Sequence, residues 1–101
     1  MHYVISYDIE NDRLRDKTAK ILEKNGCLRV QKSVFVAPQM TNKHLDRLLA
    51  DLKNRYARKP LSGTDSLLLI PLPREQGTAI KILGHNNILA TLEENPLKIV
   101  L

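Results

Sequence analysis

The stretch His2-Tyr3-Val4-Ile5-Ser6-Tyr7-Asp8-Ile9 decides the fold. It is rich in β-branched and aromatic residues, which suit a mostly buried pleated strand. A polar cluster, Glu10-Asn11-Asp12, follows, and Asn11 or Asp12 can cap a helix N-terminus. Beyond it the apolar positions take helical spacing: Leu14, Thr18, Ile21 and Leu22, with Ala19 beside them. Asn25-Gly26 stops that helix, because glycine accepts the left-handed conformation at a C-terminal cap.

Further along the chain the same alternation repeats. Residues 27–37 are again strand-like, and Lys32-Ser33 divides them into two strands before Pro38 ends the run. Thr41 caps a second helix, along which Leu45, Leu48, Leu49, Leu52 and Tyr56 form the clearest amphipathic stripe. Pro60 to Gly63 break it. Residues 66–72 read as a buried strand whose Pro71 places it near a sheet edge. After Pro73 the pattern weakens: Thr78 to Leu83 read as a short strand closed by Gly84, and residues 97–101 as another.

The order β-α-β-β-α-β fits an α+β fold, a ferredoxin-like two-layer sandwich with one or two additional C-terminal strands. Residues 1–84 make the ferredoxin-like domain including the fifth strand; residues 85–101 form a C-terminal extension. Both helices cover one face of the sheet, so the other face needs a cover. A second copy of the chain, with the extension packed on the partner subunit, makes the expected state a homodimer.

Composition narrows the class. With 101 residues, 43% of them hydrophobic and 27% charged, the chain suits one folded domain rather than a disordered segment. No apolar run reaches the ~18 residues of a membrane span, and Met1 to Ile9 lacks the basic leader of a signal peptide. The single Cys27 reads as a small packing residue in a reducing, cytoplasmic setting. The net charge of +5 is unevenly placed. Residues 1–60 hold 13 basic and 7 acidic side chains, whereas residues 61–101 hold 3 and 4. A basic body points to a polyanionic partner, with nucleic acid first, and equally to solvated helix faces.

Candidate chemistry is sparse. There is no cysteine pair, no histidine cluster at metal-ligand spacing, no glycine-rich phosphate loop and no nucleophile motif. Phe35 alone lies on the candidate sheet where an RNA-recognition motif needs an aromatic pair, which excludes that reading. Asp8 stands out: a carboxylate inside a strand pattern is costly unless hydrogen-bonded, paired or bound to a cation. Asp12 reads as a helix cap. One carboxylate per chain is a poor site for a divalent ion, but two copies of Asp8 near a two-fold axis supply a pair that suits Mg²⁺. Around it lie Arg13, Arg15, Lys17, Arg29 and Lys32, whose charges match phosphate or pair with nearby acids. A second set, Lys53, Arg55, Arg58 and Lys59, complements the dipole at the end of the second helix.

Tyr7-Asp8-Ile9 at the end of the first strand, Arg15, Gly26, and Arg29-Val30-Gln31-x-Ser33-Val34-Phe35 together resemble the CRISPR-associated "Cas two" family. The likeness continues through Asp65 to Pro73 and the Ile80 to Gly84 stretch. The resemblance implies a ferredoxin-like homodimer that takes part in spacer acquisition, bridging dimers of the "Cas one" integrase and binding duplex DNA. It also implies Mg²⁺-dependent endonuclease activity on single-stranded RNA or double-stranded DNA. The family aspartate matches Asp8, which the resemblance makes both catalytic and metal-binding; Tyr7, Ser33 and Phe35 are supporting, and Arg15, Lys17, Arg29 and Lys32 contact nucleic acid. Lys17 stands where an arginine is common, which keeps the charge but loses the bidentate fork. A non-catalytic DNA-binding scaffold and a related toxin-type endoribonuclease are the alternatives.

Overall fold

A computed structural model describes residues 1–77 and 79–92. The elements run β1 (His2–Asp8), α1 (Asp12–Lys24), β2 (Leu28–Gln31), β3 (Val34–Ala37), α2 (Asn42–Arg58), β4 (Ser66–Leu72), α3 (Arg74–Gly77) and α4 (Ile88–Leu92). The sheet order is β2-β3-β1-β4, with every neighbouring pair antiparallel. Each helix therefore links two strands that are separated by a third, the split β-α-β arrangement of the ferredoxin-like fold.

β1 is central because it can be paired on both sides. Tyr3 to Ser6 face Ala37 to Val34 of β3, and His2 to Asp8 face Leu72 to Ser66 of β4. Alternation along β1 sends Ile5 and Tyr7 toward the helices, where they meet Phe35, Ala37, Leu14, Leu22, Leu48 and Leu52 in one core. Burying each such large side chain contributes about 1.5–3 kcal/mol. Thr18, fully buried within the helical stripe, is satisfied by Tyr56: the two hydroxyls lie 2.8 Å apart and join α1 to α2.

The caps follow the sequence closely. The side chain of Asn11 accepts from the Leu14 N–H at 2.9 Å, and Thr41 Oγ1 accepts from the His44 N–H at 3.2 Å. Asn11, rather than Asp12, is the cap of α1, because the Asp12 carboxylate is taken by Arg15. Gly26, at φ +83°, ends the helix as expected. Lys32-Ser33 form the tight turn between β2 and β3, and Pro71 sits on β4, an edge strand.

The C-terminal segment departs from expectation. No strand forms over residues 79–83, and residue 78 and the strand expected over 97–101 lie outside the described residues. Ile80 to Leu83 line, with Val4, Val30 and Val34, an open cavity of about 330 Å³. The segment lies beside the sheet face rather than joining an edge, with Ile80 and Ile82 half-buried and Leu83 fully exposed. Asn86 Nδ2 donates to the Val30 carbonyl of edge strand β2 at 2.7 Å and anchors the segment. α4 then packs on β3, burying Leu89 and Leu92. Val36, on the sheet face turned from the helices, is fully buried.

Residues 85–92 pack on the sheet of their own chain, and residues 93–101 of the expected extension lie outside the described residues. The second face is covered over β3 but open over β4, where Leu68 and Ile70 remain 57% and 46% exposed. Among the described residues no helix is long and apolar enough to cross a membrane.

Candidate active site

Asp8 is the last residue of β1 and pairs in register with Ser66 of β4. Its neighbour Tyr7 points into the core, so alternation sends the Asp8 side chain to the opposite face. The residue is exposed, and its carboxylate makes no hydrogen bond or ion pair with any described residue. The expected burial cost is therefore not incurred within one chain: the strand ends in solvent one residue before the chain turns toward α1. The carboxylate is left free to accept from a ligand.

The loop after Asp8 is fastened from two sides. Arg15 Nη1 donates to the Ile9 and Glu10 carbonyls, at 3.1 and 3.4 Å, and Nη2 donates to Asp12. From across the fold, Asp65 Oδ1 accepts the Glu10 N–H and Oδ2 the Ser62 N–H, both at 3.0 Å. These backbone donors hold the Asp65 carboxyl below the usual carboxylate range. Arg15 and Asp65 are thus positioning residues for the stretch that follows Asp8. Arg15 was expected to meet nucleic acid; most of its donors hold the loop, and its side chain is 33% exposed. Asp65 was not expected at all as a site residue, because its partner Glu10 lies 55 positions away.

The other expected residues divide by face. The β2–β3 turn sits beside β1, because the Tyr7 N–H donates to the Ser33 carbonyl at 3.1 Å. That places Lys32 and Ser33 at the Asp8 end of the sheet. Tyr7 and Phe35 are core residues whose rings stack with centroids 6.1 Å apart. Phe35, the lone aromatic expected on the sheet, is fully buried beneath the helices. Arg29 faces Phe35 across the strands and lies over its ring, 5.1 Å from the centroid. It therefore stands on the helix side of the sheet, away from the Asp8 carboxylate. Lys17 is exposed on α1 without a side-chain partner among the described residues.

The family model described as CRISPR associated protein Cas2 matches residues 1–79. The chain belongs to the Cas2 family. It is 39% identical over 87 residues to "CRISPR-associated endoribonuclease Cas2 2" of Synechocystis, covering 85% of this chain and 87% of that protein. It is 37% identical to "CRISPR-associated endonuclease Cas2 2" of Thermus thermophilus, covering 81% of this chain and 80% of the relative. The fold is similar to the crystal structure of a hypothetical protein TT1823 from Thermus thermophilus. The TM-score is 0.57 at 35% identity, covering 84% of this chain and 92% of that one. The Cas2 match thus spans β1 to α3 and includes Asp8, Arg15 and Asp65.

The donor set for a metal is small. Among the described residues no group of three or more His, Cys, Asp or Glu could hold an ion. Mg²⁺ commonly uses one or two carboxylates and completes its shell with water and phosphate oxygens. A lone exposed aspartate fits half of such a site.

Proposed function

We propose that this Cas2 protein is a Mg²⁺-dependent endonuclease that hydrolyses phosphodiester bonds of single-stranded RNA or double-stranded DNA. Its site is completed when a homodimer brings two copies of Asp8 together. The observation that carries this reading is Asp8 itself: exposed, unpartnered, and followed by a loop fastened by Arg15 and Asp65. The names of the endoribonuclease and endonuclease relatives support it. The open apolar strip of Leu68 and Ile70, on the same face as Asp8, supports the homodimer.

Two Asp8 carboxylates would hold the ion, which supplies an acidified water and offsets charge developing on the phosphate. The chain's own groups do the rest. Asp8 provides the anchoring oxygens at the end of a rigid strand. Arg15 and Asp65 fix the loop, so that little ordering is needed when substrate arrives. Lys32, at the same end of the sheet, and Lys17, on α1, attract backbone phosphates as point charges. Arg29 adds charge from the edge strand.

Within the CRISPR setting the protein would act in spacer acquisition, where the homodimer binds duplex DNA together with the "Cas one" integrase. A non-catalytic DNA-binding scaffold is the second reading, favoured by the lack of a metal-ligand cluster among the described residues of one chain.

The test is cleavage of labelled RNA and duplex DNA by the wild type and Asp8→Asn, with and without EDTA. Loss of cleavage on both treatments supports the nuclease. Cleavage that survives either one refutes it, and duplex binding without any cleavage leaves the scaffold.

A further inference from the structure

On the helix side, away from the Asp8 carboxylate, a groove runs between α1 and α2. Two depressions of about 410 and 250 Å³ make it up; they share Lys24 and Asp51 and so form one trench. Lys24, Arg47, Arg55 and Arg58 line it, joined at one end by His44. Asp51 is its only acid, and the Asp51 carboxylate already accepts from Asn25 Nδ2 at 3.0 Å.

None of the four cations makes an ion pair with a described residue. The Nε–H of Arg55 is closed off from solvent and has no acceptor among the described residues. The helix dipole accounts for Arg55 and Arg58 at the end of α2, but not for Arg47, which lies in neither its first nor its last turn. Four cations set against the single carboxylate of Asp51 leave the trench net positive, which favours an anion between them. Ile21 is the one large apolar residue in the lining. A protein partner would need an apolar anchor, which the trench does not offer.

We propose that this trench binds the phosphate backbone of nucleic acid as a second surface, separate from the Asp8 end of the molecule. The inference rests on the nucleic-acid reading above and extends it to a different face. Arg47, Arg55 and Arg58 supply planar forks for phosphate oxygens, and Lys24 a point charge near the centre. One chain can then engage backbone at both faces.

The test compares two triple variants with equal loss of charge. Lys24→Gln/Arg47→Gln/Arg58→Gln removes trench cations; Lys43→Gln/Lys53→Gln/Lys59→Gln removes exposed cations that do not line it. Binding of a labelled DNA duplex is followed by fluorescence anisotropy over a range of salt. The trench variant should weaken binding and lower the slope of log K against log salt by about 2.7, or 0.9 per lost contact. The control should lower it by less than about 1. Equal slopes for the two variants, or no change in the trench variant, overturn the trench. Binding of polyglutamate that depends on the trench, with duplex binding that does not, assigns it to an acidic protein segment and also overturns the proposal. A wild type that binds neither duplex nor RNA at low salt removes this inference and the nucleic-acid reading together. Asp8-dependent cleavage at saturating substrate should persist in the trench variant, so failure of the trench leaves the nuclease standing.

Discussion

Arg29 carries two assignments at once, a phosphate contact and a lid on a core ring, and a double-mutant cycle separates them. Its guanidinium lies 5.1 Å from the centroid of Phe35, a ring that is itself fully buried and stacked on Tyr7. A cation–π contact at an exposed site is worth about 0.5–1 kcal/mol. Arg29→Ala should therefore destabilise by about that amount. At an m-value of roughly 1.5 kcal/mol/M the urea midpoint falls by about 0.3–0.7 M. Phe35→Leu loses the Tyr7 pair and opens a small void, together roughly 1–3 kcal/mol. If the stack exists in solution, the double variant recovers about 0.5–1 kcal/mol relative to the sum of the two singles. Arg29→Lys should lose most of the coupling while keeping its charge, so its duplex affinity at low salt should stay close to wild type. Strict additivity of Arg29→Ala and Phe35→Leu would refute the stacked geometry.

Three further outcomes are expected. Tyr56→Phe leaves the buried Thr18 hydroxyl without its partner and should cost about 1–2 kcal/mol in urea unfolding, part of which Thr18→Val restores in the double variant. Cys27 is buried and its thiol is pushed up to about 11 by desolvation. At pH 8 only about one thiol in a thousand is ionised, against roughly one in four for an exposed cysteine, so Ellman's reagent should react far more slowly with native than with urea-unfolded protein.

The third concerns acid. His2 is buried, accepts the Gln39 N–H at Nδ1, and has its pKa lowered by desolvation and by the nearby N-terminal amine and Arg74. A lowered folded pKa means stability is present above the unfolded value near 6.5 and is lost as pH falls through the folded one. Asp65 adds a second loss at lower pH, by the same sign, as its lowered pKa is crossed. His2→Asn keeps an acceptor but cannot titrate, and should flatten the decline in stability just below pH 6.5. An unchanged decline would exclude His2 as its source.

The elements that sequence reading placed well are those fixed by local physics. The stripe from Leu45 to Tyr56, the Thr41 cap, the Gly26 stop and the Ser66–Leu72 strand depend on spacing and caps within a few residues, and all stand in the fold, although that strand, read as buried, is an edge strand with no buried residue. The α1 cap was ambiguous because asparagine and aspartate cap equally well. A tertiary detail, Arg15 reaching back over the loop, settles it for Asn11. The apolar run from Ile80 to Leu83 reads as a strand because strand and face cover favour the same residues; whether an edge or a face receives it depends on the whole sheet. Asp8 was legible as a carboxylate at a strand end, and the Cas2 resemblance gave it a role. Asp65 was not, because nothing local signals a hydrogen bond to a loop 55 residues away. Of the trench cations the sequence marks only Arg55 and Arg58, as complements of a helix dipole; the packing of α1 beside α2 is what brings Lys24 and Arg47 to them.

The central claim is that Asp8 of two chains makes one catalytic site, and subunit mixing tests it most directly. Wild-type chain is mixed with Asp8→Asn chain at constant total concentration, equilibrated, and assayed for Mg²⁺-dependent cleavage of RNA and duplex DNA. If both aspartates are needed, activity follows the square of the wild-type fraction and falls to roughly one quarter in an equal mixture of a two-fold dimer. Retention of roughly three quarters would show that one Asp8 suffices in a shared site, a linear decline to roughly half that each chain acts alone, and full activity of the Asp8→Asn chain alone would contradict the claim outright.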